Sequence, residues 1–293
     1  MNDYDVLYNI YKPTDVIKKG KVIIFKTMQG DYVIKKTDID YYYLYQYLFS
    51  RDFNYVPNLS KDNRSHYVVM DYEKDIEVDH NEKMKDLCNI VSLLHNKTCY
   101  FKEITLDKYD ELYHKLLNNI LLIEEQYQKY FDSFLEKEIY SPAEYLFLRN
   151  YSLFYYSILA SKDYLDRWKK RVGNKTRERV CLIHNHLELD HFIKNDKDYL
   201  ISWERYRVDT PVIDLYHLYQ NTYLKVDFLD SFLLYLDKFS WNKEELLLFL
   251  CMIHIPFELD FNTQERELCT KIRHLIIYLN KAMEVGSKTA KEV

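Results

Sequence analysis

The sequence predicts an α+β protein, with a small β-rich unit carrying one helix in front of a larger, mainly helical unit. Three observations carry this. Runs of β-branched and aromatic residues, separated by turn residues, crowd into the first 72 positions. From residue 82 onward apolar residues recur mostly at helical spacing. One stretch of strand and turn character, residues 180–209, interrupts the helical part.

Val22-Ile23-Ile24-Phe25 and Tyr32-Val33-Ile34 read as paired strands, with Gly30 in the hairpin turn between them. Gly20 marks the preceding turn. Asp38 is positioned to cap a helix running through Tyr41 to Leu48, and residues 52–57 end it. Ser65 to Tyr72 is a further strand. Glu82 to His95 sets Met84, Leu87, Cys88, Val91, Leu94 and His95 on one helical face. A long helix is expected from Leu106 to Glu138. Another starts at the cap-and-proline pair Ser141-Pro142 and stops at Gly173-Asn174. Helices resume at Pro211 and run to Met283, and residues 286–293 read as a frayed polar tail.

Composition removes several function classes. The four glycines, Gly20, Gly30, Gly173 and Gly286, stand far apart. The dinucleotide fingerprint, the Walker loop and the nucleophile elbow each need clustered glycines, so all three are excluded. The 30 tyrosines fit the same A/T-rich codon bias that depletes glycine and alanine. The tyrosine-rich stretch 41–47 is read as packing against the sheet rather than as a binding face. The net charge of −5 gives no pull toward nucleic acid or acidic membranes. The five cysteines form no C-x-x-C, which leaves zinc ribbons, redox motifs and disulfide frameworks without support. A reducing cytoplasm suits them. The start lacks an apolar signal core. The longest apolar run, Leu246 to Ile255, is too short to span a bilayer.

The most informative segment is Cys181 to Tyr219. It resembles the catalytic and metal-binding segment of aminoglycoside-phosphotransferase-like kinases, and most of all their spore-coat-type branch. That family shows an apolar run, His-Gly-Asp, four residues and Asn, then a hairpin into Ile-Asp-Trp and an Asp-x-Pro-x-x-Asp-Leu helix start. Here Leu182-Ile183-His184 matches the entry, Tyr199 to Trp203 the second strand, and Asp209-Thr210-Pro211 with Asp214-Leu215 the helix start. Upstream, Phe25 to Lys35 resembles the hairpin into the strand bearing the nucleotide lysine. Tyr67 to Tyr72 resembles the strand entering the inter-lobe hinge, and Leu93-Leu94-His95 the end of the first large-lobe helix. These pieces cover residues 15 to 220.

The resemblance implies a bilobal protein-kinase-like fold: an N-lobe over residues 1–72, a helical C-lobe over 73–285 with its catalytic segment at 181–215, and the tail. It makes Lys35 and Met70 the candidate nucleotide contacts, and His184, Asp209 and Asp214 structural motif residues. Asp214 is expected to cap its helix and brace the loop. The glutamate that would pair with Lys35 is missing; Asp40 and Gln46 are the nearest polar candidates, and neither convinces.

The departures matter more. Asn185 stands at the family glycine, His186 at the catalytic aspartate, His191 at the metal-binding asparagine and Ser202 at the metal-binding aspartate. Magnesium prefers hard oxygen ligands, and imidazole and a neutral hydroxyl are poor substitutes. His186 retains the chemistry of a base, but general-base help cannot replace metal-held phosphates. Glu204 is not read as a replacement, since relatives often carry an acid there beside their own aspartate. Glu188 and Asp190 stand inside the loop as candidate compensating acids, though the flanks argue against a register slip. The spacing of His184, His186 and His191 matches no standard zinc motif, so no metal site is expected.

The expectation is a bacterial, cytoplasmic pseudokinase, with a spore-associated place also open. It would act as a binding or scaffold protein for an unidentified protein or small-molecule partner, with no nucleic acid and no membrane. No cofactor is expected, with ATP binding without normal magnesium coordination left open. The alternative is a residual or atypical ATP-dependent small-molecule phosphotransferase. A structural protein of the spore coat is a third.

Overall fold

The computed structural model describes residues 3–62, 66–105 and 107–289. The N-terminal part is an antiparallel sheet of β1 (Asp15–Lys19), β2 (Val22–Thr27), β3 (Gly30–Lys36) and β4 (Tyr67–Asp71), in that order. The turn between β2 and β3 sits where Gly30 allows a φ of 145°. The strand at 65–72 is shorter than expected, and Ser65 lies outside the described residues.

Alternation along the strands gives the sheet two apolar faces. Val68 and Met70 join the main core with Tyr41, Leu44, Tyr45 and Leu48 of α2 (Tyr41–Ser50). Phe25, Ile34 and Val69 face the other way and are covered by Leu7 of α1 (Asp3–Tyr11). The N-terminal part was expected to hold one helix; α1 is a second. Without it Phe25, Ile34 and Val69 would meet water, and burying Leu7 itself contributes roughly 2 kcal/mol. The cap of α2 also differs from the expectation. Asp40, not Asp38, accepts the Tyr43 N–H at 2.9 Å.

The C-terminal part is built on helices α3 (His80–Thr98), α4 (Lys108–Leu135), α5 (Pro142–Val172), α6 (Val212–Thr222), α7 (Phe228–Lys238), α8 (Lys243–His254) and α9 (Glu265–Thr289). α5 packs against α4, α8 and α9, while α3 packs against α7. Ser141 begins α5 with a complete capping box to Glu144, and Gly173 ends it at a φ of 45°. α3 is longer at both ends than the spacing suggested, because Asp79 caps it at the Asn81 N–H. α4 is shorter, and Leu106 lies outside the described residues.

Between α5 and α6 runs the interruption seen in the sequence. β6 (Arg177–Ile183) pairs with β5 (Tyr100–Glu103) on one side and β9 (Arg207–Asp209) on the other. A hairpin of β7 (Phe192–Ile193) and β8 (Tyr199–Leu200) stands beside them. The expected polar tail needs correction. Residues 286–289 continue α9, and Gly286 is buried because a Cβ there would lie 3.1 Å from Tyr164 Oη and 3.3 Å from His254 Cε1. Residues 290–293 lie outside the described residues. Among the described residues, no helix is long and apolar enough to cross a membrane.

Candidate functional site

The site grows from the end of β6. Its last four residues, Val180 to Ile183, are buried and deliver His184 into the C-terminal core. Asp214 waits there, in the first turn of α6 and fully buried. One carboxylate oxygen accepts the His184 N–H at 2.9 Å and His95 Nε2 at 3.1 Å, and the other accepts the Asn185 N–H at 2.6 Å. His95 is fixed in turn by Tyr235, whose hydroxyl lies 2.7 Å from Nδ1. Burial pushes the Asp214 carboxyl up, but its hydrogen bond from His95 and the neighbouring imidazoles outweigh this and hold it below the ordinary value. Asp214 was expected to cap α6. It makes no cap bond there, because its acceptor capacity is spent on the loop.

Asn185 adopts a φ of 61°, in the left-handed region where glycine is favoured and asparagine is the best-tolerated substitute. Its side chain donates to the Arg205 carbonyl at 3.0 Å. Asn185 therefore preserves the turn that a glycine would make.

His184 donates through Nε2 to the Ile201 carbonyl at 2.7 Å, and its ring lies 5.0 Å from Trp203. Burial drives its pKa down to about 4, so the ring stays neutral at ordinary pH. Its Nδ1 has no hydrogen-bond partner among the described residues.

His186 and His191 come together beside this frame, and Ser202 follows Ile201 next to them. His191 Nδ1 lies 2.6 Å from the His186 carbonyl oxygen, and the two rings are 4.8 Å apart. The Ile201 N–H donates to the His191 carbonyl at 2.9 Å, which brings Ser202 beside the loop. Ser202 holds a φ of 67°, a conformation that costs a non-glycine residue about 1–2 kcal/mol. The His186 ring sits 3.1 Å from Glu188, so that acid is already partnered. Burial, with the His191 and Arg205 charges, lowers the His186 pKa. Asp190 is exposed in the turn Leu189–His191.

Glu204, read from the sequence only as no replacement for the metal-binding aspartate, is the partner of Lys35. α2 contains no acid, and Lys35 of β3 reaches across to Glu204, with Nζ 2.5 Å from Oε1. Tyr41 of α2 donates its hydroxyl to the same oxygen at 2.5 Å. Burial raises the Glu204 pKa, but the bonds from Lys35 and Tyr41 and the lysine charge win and lower it. Neither Asp40 nor Gln46 is needed to pair Lys35. Glu204 stands 169 positions after Lys35 (204 minus 35), which no local spacing rule can see.

Met70 is buried in β4, opposite Val33. Just past it, the N–H groups of Asp71 and Tyr72 donate to the carbonyls of Asn58 and Asp31. Asp209 accepts the Thr210 N–H at 2.8 Å and pairs with Arg207 at 2.9 Å, which turns the chain into α6.

Magnesium as kinases use it does not fit this donor set. His191 and Ser202, which the sequence resemblance sets at the metal positions, offer an imidazole and a hydroxyl, where the ion prefers hard oxygens. Among the described residues, no group of three or more His, Cys, Asp or Glu side chains is arranged to hold a metal ion.

A small antiparallel sheet with a helix, joined to a largely helical part and carrying a braced loop between them, is the bilobal protein-kinase-like fold of ATP-dependent small-molecule kinases. The structure is similar to that of an aminoglycoside phosphotransferase from Alicyclobacillus acidocaldarius, with a TM-score of 0.71 and 10% identity over 95% of this chain and 92% of that one. It also resembles the AMP-bound complex of a spectinomycin phosphotransferase, with a TM-score of 0.51 and 9% identity over 97% and 93% of the two chains. No protein-family model and no curated protein sequence matches the chain.

Proposed function

We propose that this chain is a kinase-fold protein that has lost ordinary magnesium-dependent phosphotransfer and acts as a binding or scaffold protein. What supports the reading is the resemblance of the loop: by its pattern His186, His191 and Ser202 stand where such kinases carry two carboxylates and a carboxamide. The Lys35–Glu204–Tyr41 contact adds support. It commits the one candidate phosphate-contacting cation to an acid of the other lobe. The frame around Asp214 keeps the loop folded without any of the lost groups.

Thermal-shift titration with millimolar ATP, with and without Mg²⁺ or Mn²⁺, tests this. A ligand well above its Kd raises the unfolding midpoint. The expected result is no shift that depends on the metal. Metal-dependent phosphotransfer to a small hydroxylated acceptor, abolished by His186→Ala, would overturn the proposal.

A second reading, an atypical small-molecule phosphotransferase, draws on Glu204. Its carboxylate lies two residues past Ser202 and touches Lys35, so an ionised oxygen ligand stands near the lost one. Glu204→Gln discriminates: it would remove activity under this reading and has none to remove under the first.

A further inference from the structure

We propose that Cys99 and Cys181 form a redox-sensitive thiol pair that closes to a disulfide when an intracellular peroxide oxidises it. The placement comes from the β5–β6 ladder. Tyr100 is paired with Val180, and the Leu182 N–H donates to Thr98 Oγ1 at 3.1 Å. The same antiparallel register sets Cys99 opposite Cys181. Residues directly opposite in such a ladder have Cα atoms about 4.5–5.5 Å apart and side chains on one face. A disulfide needs about 4.4–6.8 Å, a range that this cross-strand spacing falls in.

The two thiols differ in a way that suits the roles of attacking and resolving sulfur. Cys99 is half-buried, while Cys181 is fully buried behind it. The Cys181 thiol hydrogen-bonds Cys99 and, with the Arg179 charge, brings the Cys99 pKa down to about 7 against burial and Glu245. The same hydrogen bond, with burial, pushes the Cys181 thiol well up. Arg179 is held rigidly by both oxygens of Glu245 and by the Ser240 carbonyl. Arg179 and Glu245 also line a cavity of about 430 Å³, and Cys99 itself is part-exposed.

The chemistry balances with hydrogen peroxide as the oxidant. The Cys99 thiolate attacks one peroxide oxygen and the O–O bond breaks, giving a sulfenic acid and hydroxide. The Cys181 sulfur then attacks the Cys99 sulfur. Its proton leaves with the sulfenic hydroxyl as water, and the S–S bond forms. Two thiols lose two electrons and peroxide becomes two waters. The bond would tie the end of α3 to β6, three residues before His184. It would also close a loop containing α4 and α5, which constrains the unfolded chain.

The other cysteines serve as internal controls. Cys88 and Cys251 are buried with thiols pushed up by burial, and burial and Glu265 raise Cys269. The test treats the full chain with hydrogen peroxide at neutral pH, removes the oxidant, denatures and alkylates it, and maps the unreduced digest. The expected result is a linked Cys99–Cys181 peptide, with three of the five thiols alkylated and the link reversed by dithiothreitol. The oxidised protein should also unfold at a higher temperature. In Cys181→Ser, dimedone should trap Cys99 sulfenic acid at least roughly tenfold more than in the wild type, since the resolving thiol is gone. Recovery of wild-type Cys99 as a sulfinic acid with Cys181 still alkylatable would overturn the proposal. So would equal dimedone labelling of the two proteins. If Cys181→Ser does not fold, the wild-type linkage map decides alone.

Discussion

Asp214→Ala tests whether the braced loop holds this lobe together. The carboxylate is fully buried and accepts three donors: the N–H groups of His184 and Asn185, and His95 Nε2. Each orphaned donor costs about 1–3 kcal/mol. Half-buried Asn185 can recover part of its share from water. With two of the three donors fully buried, we expect a loss of about 3–5 kcal/mol. Asp214→Asn should lose less, because its carbonyl can still serve the two donors on one side while its amide opposes the third. The assay is urea unfolding followed by tryptophan fluorescence. Of the three tryptophans, Trp203 lies against His184 and reports on this loop. The slope against urea should stay unchanged while the midpoint falls. A loss below about 1 kcal/mol for Asp214→Ala, with native circular dichroism, would refute the brace.

Acid should destabilise the protein before its carboxylates titrate. His184 and His254 are buried, and burial lowers both to a pKa of about 4 from 6.5. Between those values the unfolded chain binds more protons than the folded one, so stability falls as pH drops from about 6.5 to 4, by up to roughly 3 kcal/mol per histidine. Unfolding midpoints measured across that range check this, and a flat profile would contradict it. Gly286→Ala should destabilise by about 1 kcal/mol, although alanine is the better helix former by a similar amount. The new Cβ meets Tyr164 and the His254 ring, which its bond to the Leu250 carbonyl holds in place. A net gain in midpoint would show that the pocket yields.

Local chemistry was legible and long-range pairing was not. The cap and proline at Ser141-Pro142, the glycine turn at Gly30 and the apolar face of α3 each rest on residues within a few positions of one another. So did the loop frame, where Leu182-Ile183-His184 and Asp209 to Leu215 matched a known pattern on both flanks. α1 was missed although Tyr4, Leu7, Tyr8 and Tyr11 have helical spacing. Tyrosine suits strands as well as helices, and only the second apolar face of the sheet explains why this segment must cover it. Asp38 and Asp40 are equivalent to a pattern, and backbone geometry chooses between them. The Lys35–Glu204 pair depends on bringing β3 onto the segment after β8, which no reading of neighbours reveals. Gly286 looked like a breaker near a terminus, yet it is what lets α9 pass close to α5 and α8.

The frame and the chemistry of this loop are separable, and the separation makes a further prediction. Asp214, His95, Tyr235, His184 and Trp203 bond or pack among themselves and with the backbone, and of the side chains at positions 186, 191 and 202 His191 adds one bond, to the His186 carbonyl. Those three side chains are only half-buried. Their exchange should therefore cost little folding energy. The combined variant H186D/H191N/S202D should unfold cooperatively within about 1–2 kcal/mol of the wild type, as surface-side changes do. The main penalty should fall at S202D, which sets a second carboxylate beside Glu204 and competes with it for Lys35. Adding E204Q should then recover part of the loss, because one carboxylate again faces one lysine and Tyr41 retains an acceptor. If the triple variant collapses to a non-cooperative state, the present side chains are part of the frame. The histidines would then be structural replacements rather than remnants of a lost site.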